Sequence, residues 1–386
     1  MPERAADHVV QGPRIGQTCL RSTPEAAAAE LAAQLEQPGL GLVLLFLGDI
    51  ESPERFCTEF SARLRGASVL GVSAAAEIGP QGYLQHSVAG VSFRRNDLPF
   101  AFGVLESLST ANLRKIHHFT SALIDDLRMR SPAMTPANSF ALMMIEGTSE
   151  RIAHAFHDGL DGLRLIGGTA STAQADGQTR LFVDGRLVRD AAALIVASTG
   201  LPFRIFKAQH YSAGDPPLVV TGAIPEQRIV TELNGLPAAR EYARAIGLDP
   251  AAICTDVFAT RPLICRLGNN SFIRSIRFAA PEGALTFFCS VEEGTVLRPA
   301  VRKGMTESLS DTFADIRASL GEPSVTLGFD CVLRRTEMIA TGSARKIERI
   351  LMRMKMVGFS TFGEQYCGMH INQTMTGITF GKPNPR

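Results

Sequence analysis

The residues able to do chemistry gather near the end of the chain. The run GFSTFGEQYCGMHINQTMTGITFG, residues 358–381, sets Glu364, Cys367, His370, Asn372 and Gln373 between segments patterned as strands. Polar groups held between strands cost stability unless something pairs with them. His370, framed by Met369 and Ile371, has the setting of an imidazole ligand: one ring nitrogen for a metal, the other oriented by Asn372 or Gln373. His210, in FKAQHYSAGDPP, is the competing or second axial ligand, and the adjacent Tyr211 offers a phenolate. Glu364 lacks an evident partner for general-base work and reads as a strand-edge hydrogen-bonder or an acceptor in a pocket.

Other arrangements carry less. Cys367-x-x-His370 with Cys331 has zinc-like spacing, but a closed zinc site takes four ligands and no second such pair exists. Covalent haem attachment would need Cys-x-x-Cys-His, which is absent. His154 and His157 lack the zincin glutamate and read as a solvated helix face. His117 and His118 point apart on any regular element, and His8 falls in a tail. Cys57, Cys265 and Cys289 lie in apolar patterns and read as small core residues. LGVSA approximates a nucleophile elbow at Ser73, but Ala75 replaces the glycine and no helix follows. IGGTAS lacks the P-loop lysine. The expectation is a protein that is not an enzyme.

Bulk composition narrows the classes further. The 386 residues are 45% hydrophobic and 20% charged, a globular balance. Lys and Arg number 39 against 38 acids, a net charge of +1, which leaves no surplus for a nucleic-acid backbone. Seven scattered cysteines give no disulfide framework. The opening MPERAADHVV has no apolar signal core, and GLGLVLLFLG is about half the ~20 residues a spanning helix needs. A cytoplasmic protein with reduced thiols and no membrane partner is expected; the composition leaves homo-oligomer formation open.

The elements that must position these residues recur. A buried strand, an amphipathic helix, a second strand carrying glycine and a later strand follow one another three times. The copies are LVLLFL, PERFCTEFSARLR, SVLGVS and SVAGVSF; FALMMI, SERIAHAFHDGL, LRLIGGTAS and AAALIVAS; SVTLGFD, SARKIERILMRM, MVGFSTFGEQ and TMTGITF. Ser52 is expected to cap the first helix, with Pro53 at its first position. Between the second and third copies lie hairpin-like strands, with Asn269-Asn270 expected in one turn, and a helix AAREYARAIG after the Asn234-Gly235 turn. The fold class is α/β, mixed α and β, with large mixed sheets built from repeated strand–helix–strand–strand units. The division is a tail and first helix at residues 1–35, then domains at 36–230 and 231–381.

VLGVSAAAEI, LIGGTAS with TRLFVDGRLVRDAAALIV, VVTGA with ELNGLPAAREYA, and GFSTFGEQY…HINQT together resemble the bacterial FIST sensory domains, N- and C-terminal halves in one chain, over about residues 40–380. RIVTELNGLPAAREYARAIGL, RSIRFAAPEGALTFFCSVEEGTVL and GFDCVLRR are similar to the NosP group, haem proteins that sense nitric oxide. That resemblance implies non-covalent haem b, nitric oxide as the signal, two-component signalling, and a histidine kinase or cyclic-di-GMP enzyme as partner. It places Met369, Glu364 and Asn372 around the cofactor, with His370 and His210 as iron ligands. The alternative within FIST domains is a haem-free sensor of a small organic ligand such as an amino acid; zinc or another non-haem metal ranks below both.

Overall fold

The computed structural model describes residues 12–19, 23–147, 150–174, 177–268 and 270–382. His8 and Asn269 lie outside the described residues. Unbroken apolar runs favour strands buried on both faces, and a helix between two such runs returns the chain parallel to itself. In the first unit Leu40–Leu47 (β2) passes through Pro53–Arg63 (α2) to Ser68–Ser73 (β3), parallel and adjacent. Ser87–Arg94 (β6) runs antiparallel on the other side of β2, with Arg14–Cys19 (β1) beyond it. That strand stands in the segment read as a tail before the first helix, Pro24–Leu35 (α1).

The second unit repeats the order. Ser139–Ile145 (β8), Glu150–Asp158 (α4) and Arg164–Thr169 (β9) are flanked by Ala191–Ser198 (β12) and Phe100–Glu106 (β7), with Leu113–Arg130 (α3) packed outside. The third unit uses Pro323–Cys331 (β23), Met356–Thr361 (β24), Met375–Gly381 (β27) and Phe203–Ala208 (β13). Its crossover holds two helices rather than the single one expected, Val332–Ala340 (α8) and Ala344–Arg353 (α9), with Met305–Leu320 (α7) packed beside them.

Each sheet is completed by a hairpin borrowed from another unit. Leu181–Val183 with Arg186–Val188 (β10, β11) joins β3, Glu364–Tyr366 with Met369–Ile371 (β25, β26) joins β9, and Glu77–Gly79 with Gly82–Leu84 (β4, β5) joins β24. The exchange is cyclic, and the residue leaving each hairpin is left-handed in all three: His86, Asp190 and Gln373 at φ 55°, 47° and 50°. The sheets enclose one shared core. Phe46 stacks on Phe359 at 5.4 Å, and Phe93 and Phe140 each meet Phe380 at 5.7 Å. Ser171 ties the units at one point, its N–H donating to Ser73 O at 3.1 Å and its Oγ to Ser360 O.

Ser52 precedes α2 as expected but is left-handed and makes no side-chain cap bond. A further sheet occupies the stretch between the second and third units: Tyr211–Ala213 (β14), Leu218–Ile224 (β15), Ile229–Leu233 (β16), Leu236–Pro237 (β17), Leu263–Leu267 (β18), Asn270–Arg274 (β19), Ile276–Ala279 (β20), Leu285–Phe287 (β21) and Val296–Arg302 (β22). Ala238–Ile246 (α5) and Thr255–Thr260 (α6) pack on one face of it. Leu233 pairs with Leu236 across Asn234-Gly235, while Leu267 pairs with Asn270, so Asn270 is a strand residue and not a turn residue. Val230 lies inside β16.

Candidate functional site

His370 stands on β26, in the hairpin that the third unit lends to β9. The turn is Cys367-Gly368, both left-handed at φ 48° and 79°, with Tyr366 opposite Met369. Gly368 is suited to this two-residue turn because it adopts φ > 0 without steric cost. Side chains alternate along strands, so Gln365 and His370, directly opposed, share a face. Their contact is Gln365 Nε2 to His370 Nδ1 at 3.0 Å, and the same amide nitrogen donates to Thr169 Oγ1 at 3.2 Å.

The other ring nitrogen, Nε2, is buried without a hydrogen-bond partner, in a residue only 2% exposed. Burial pushes the imidazole down to about 4, with Arg228 and Arg274 acting the same way against Glu150. The ring is therefore neutral at physiological pH. A Cβ on Gly363 would lie 2.0 Å from its Cε1 and 2.3 Å from Nε2, so glycine at that point is what gives the imidazole its place.

Unpaired polar atoms cluster around this hairpin. Gln365 Oε1, both side-chain polar atoms of Asn372, Gln373 Oε1, Thr376 Oγ1 and Ser360 Oγ are buried without partners. Each such group costs about 1–3 kcal/mol unless water or a ligand completes it. Met369 and Ile371, on the face of β26 opposite His370, pack instead into the apolar cluster of the inserted sheet and do not frame the ring. Glu364 is satisfied instead: Thr361 Oγ1 donates to it at 2.5 Å and Thr374 Oγ1 at 2.6 Å. Burial still pushes its carboxyl up to about 8. The first unit repeats this feature at the matching hairpin base, where Ser87 donates to Glu77 and burial pushes that carboxyl to about 8.

His210 and Tyr211 belong to a different network. His210 Nε2–H donates to Glu337 Oε2 at 2.9 Å, and its Nδ1 accepts from Arg334 Nη1 at 3.1 Å. Tyr211 OH donates to Glu337 Oε2 at 2.9 Å, and burial lifts the phenol far above its usual range. Arg302 adds an ion pair to Glu337 at 2.8 Å, while Arg334 Nε reaches Asp330 at 2.6 Å and Tyr83, from β5, donates to the same carboxylate. Burial alone would raise Glu337, but His210, Tyr211 and Arg302 hold it below the ordinary value. A haem iron takes a donor atom with a free lone pair, an imidazole nitrogen or a phenolate oxygen among them. His370 Nε2 has no hydrogen-bond partner and meets that requirement when Nδ1 carries the proton. His210, bonded at both ring nitrogens, and Tyr211, held as a neutral phenol on Glu337, do not.

Cys331, Cys367 and His370 do not gather, and among the described residues no group of three or more His, Cys, Asp and Glu is placed to hold a metal ion. His154 is exposed beside Asp158, as a solvated face requires, but His157 turns inward against Gly368. Helix residues three apart are displaced around the axis enough to part in this way. His117 and His118 are exposed on α3. Glu150, Arg228 and Arg274 stand in the electrostatic surroundings of His370 and carried no motif that could have announced them. A surface cleft of about 650 Å³ lies elsewhere, lined by Asp49, Glu51, Glu54, His86 and Gln174. Among the described residues no helix is long and apolar enough to cross a membrane.

Among solved structures, the chain is similar to a cyanuric acid hydrolase from A. caulinodans at 8% identity and a TM-score of 0.36, over 96% of this chain and 99% of that one. A second cyanuric acid hydrolase structure matches at 9% identity and 0.34, over 96% and 100%. Likenesses this low bear on neither fold nor reaction. No curated protein matches the chain. The FIST N domain matches residues 41–236 and the FIST C domain residues 238–367. These matches cover the first two units, the inserted sheet and the third unit as far as Cys367, more than half of the chain, and the chain belongs to the FIST family, whose sensory domains give it a role in signalling.

Proposed function

We propose that this chain is a haem-dependent nitric oxide sensor of the NosP group, cytoplasmic and acting on a sensor histidine kinase or an enzyme of cyclic-di-GMP turnover. One observation supports the reading above the rest: His370 is a neutral, buried imidazole whose Nε2 has no partner. When bound, haem b supplies an iron that takes up nitric oxide. His370 Nε2 is the atom that would hold it. Gln365 sets the tautomer: with its amide turned so that Oε1 faces the ring, Nδ1–H donates and the Nε2 lone pair is free. The same turn lets Oε1 accept from Thr169, so the Thr169 contact survives in either orientation. His370 is 2% exposed, so the fold itself keeps water from the ring.

The hairpin carrying His370 also couples units, because its strand ladder runs to β9 and not to its own sheet. A displacement of the imidazole is felt in the second unit. Nitric oxide changes the output only if two arrangements of this hairpin bind it with different affinity. Purified, reduced protein is expected to show a Soret band that shifts when nitric oxide is added; a hemin-loaded preparation whose band ignores nitric oxide would contradict the proposal.

A second reading, a haem-free sensor of a small organic ligand such as an amino acid, is favoured by the unpaired amide oxygens of Gln365 and Gln373 and the unpaired amide of Asn372. A colourless preparation that refuses hemin, yet gains thermal stability with such a ligand, selects it.

A further inference from the structure

We infer that a ligand reaching the His370 hairpin is anchored by a carboxylate, and that the guanidinium of Arg274 holds it. The inference rests on the reading of His370 as the sensing position and extends it to the chemical class of the ligand's anchoring group.

β26 packs between α4, which opens with Glu150, and β19, which ends in Arg274. Arg274 Nη1 is shut off from solvent and has no hydrogen-bond partner. The nearby acid is already engaged: Glu150 Oε1 accepts from Ser290 N–H at 3.0 Å, and Oε2 lies 3.7 Å from Arg228 Nη2. Cys289 lies beside Arg274, but burial pushes that thiol up to about 11, so it contributes no negative charge. Arg274 feels the Glu150 charge and a hydrogen bond to the neutral Cys289, yet its Nη1 stays shut off without an acceptor, which is unfavourable for a guanidinium nitrogen. A guanidinium presents a planar fork that matches a carboxylate, which a neutral amide or ester does not. The unpaired Nε2 of His370 stands in the same electrostatic neighbourhood. The surface cleft on the first unit, with Asp49, Glu51 and Glu54 on its walls, would repel the same group.

Two sources share this chemistry, a haem propionate and the carboxylate of a small organic acid. The test compares each acid with its neutral derivative on the full chain. Hemin is titrated against hemin dimethyl ester by absorbance, and pyruvate and L-alanine against methyl pyruvate and L-alaninamide by thermal shift, with wild type, Arg274→Gln and Arg274→Lys. Wild type is expected to favour the acid by about tenfold, the scale of a charge-assisted hydrogen-bonded pair. Arg274→Gln should lose that preference and Arg274→Lys keep part of it, with far-UV circular dichroism reporting that both fold. A preference seen with hemin assigns the propionate; one seen only with the small acids, hemin being refused, assigns the organic acid and removes the haem reading while the inference stands. Equal binding of hemin and its diester by wild type would overturn the inference and leave the haem reading intact. Retention of the full preference by folded Arg274→Gln, or binding of none of the acids at millimolar concentration, overturns it too.

Discussion

Removing the imidazole of His210 would strip Glu337 of one of three partners, deep inside the third unit. A buried charged acceptor deprived of a hydrogen bond costs about 1.5–3 kcal/mol. His210→Ala is therefore expected to lower the denaturant midpoint while hemin affinity holds, whereas His154→Ala, at an exposed position, leaves both unchanged. Glu364 gives a prediction with a definite sign. Its carboxyl titrates near 8 in the fold against 4.5 in the open chain, so the native state binds the extra proton between those values and stability falls as pH rises through them. His370 opposes this only below about 6.5, where the unfolded ring begins to charge. Above that pH, Glu364→Gln should flatten the decline of the unfolding midpoint, and a decline as steep as in wild type would remove Glu364 from the account.

The hairpin of β25 and β26 is the element on which the site depends. Gly363→Ala drives a Cβ into the His370 ring, and overpacking of that kind costs about 1–3 kcal/mol. Unfolding midpoint and hemin affinity should fall together; a destabilised variant with undiminished hemin uptake would show that the ring is not where the cofactor is held. The strands and the place of His370 among them were legible in the sequence because they rest on local periodicity, as LVLLFL and AAALIVAS show. The hairpin exchange was not, because two three-residue strands carry too little pattern to name a partner far along the chain. The engagement of His210 escaped for the same reason: its partners Arg334 and Glu337 sit in VLRRTEMIA, a helix that followed its strand without the turn signal that usually marks a start.

Over the whole molecule, the cyclic exchange means that neither half has complete sheets alone. The second unit takes its last two strands from residues 364–371, and the third takes its own from residues 77–84. Cut at the boundary between the FIST matches, residues 1–236 and 238–386 should each fail to unfold cooperatively and recover a transition when mixed. The intact chain should melt in one transition with equal calorimetric and van't Hoff enthalpies; two separated transitions would show that the borrowed hairpins do not bind the units together. The most direct measurement on the intact protein is a hemin titration followed at the Soret band, wild type beside His370→Ala and His210→Ala. Saturable uptake by wild type and His210→Ala, lost in His370→Ala, is the expected result; undiminished uptake by His370→Ala would contradict the assignment of this imidazole as the ligand.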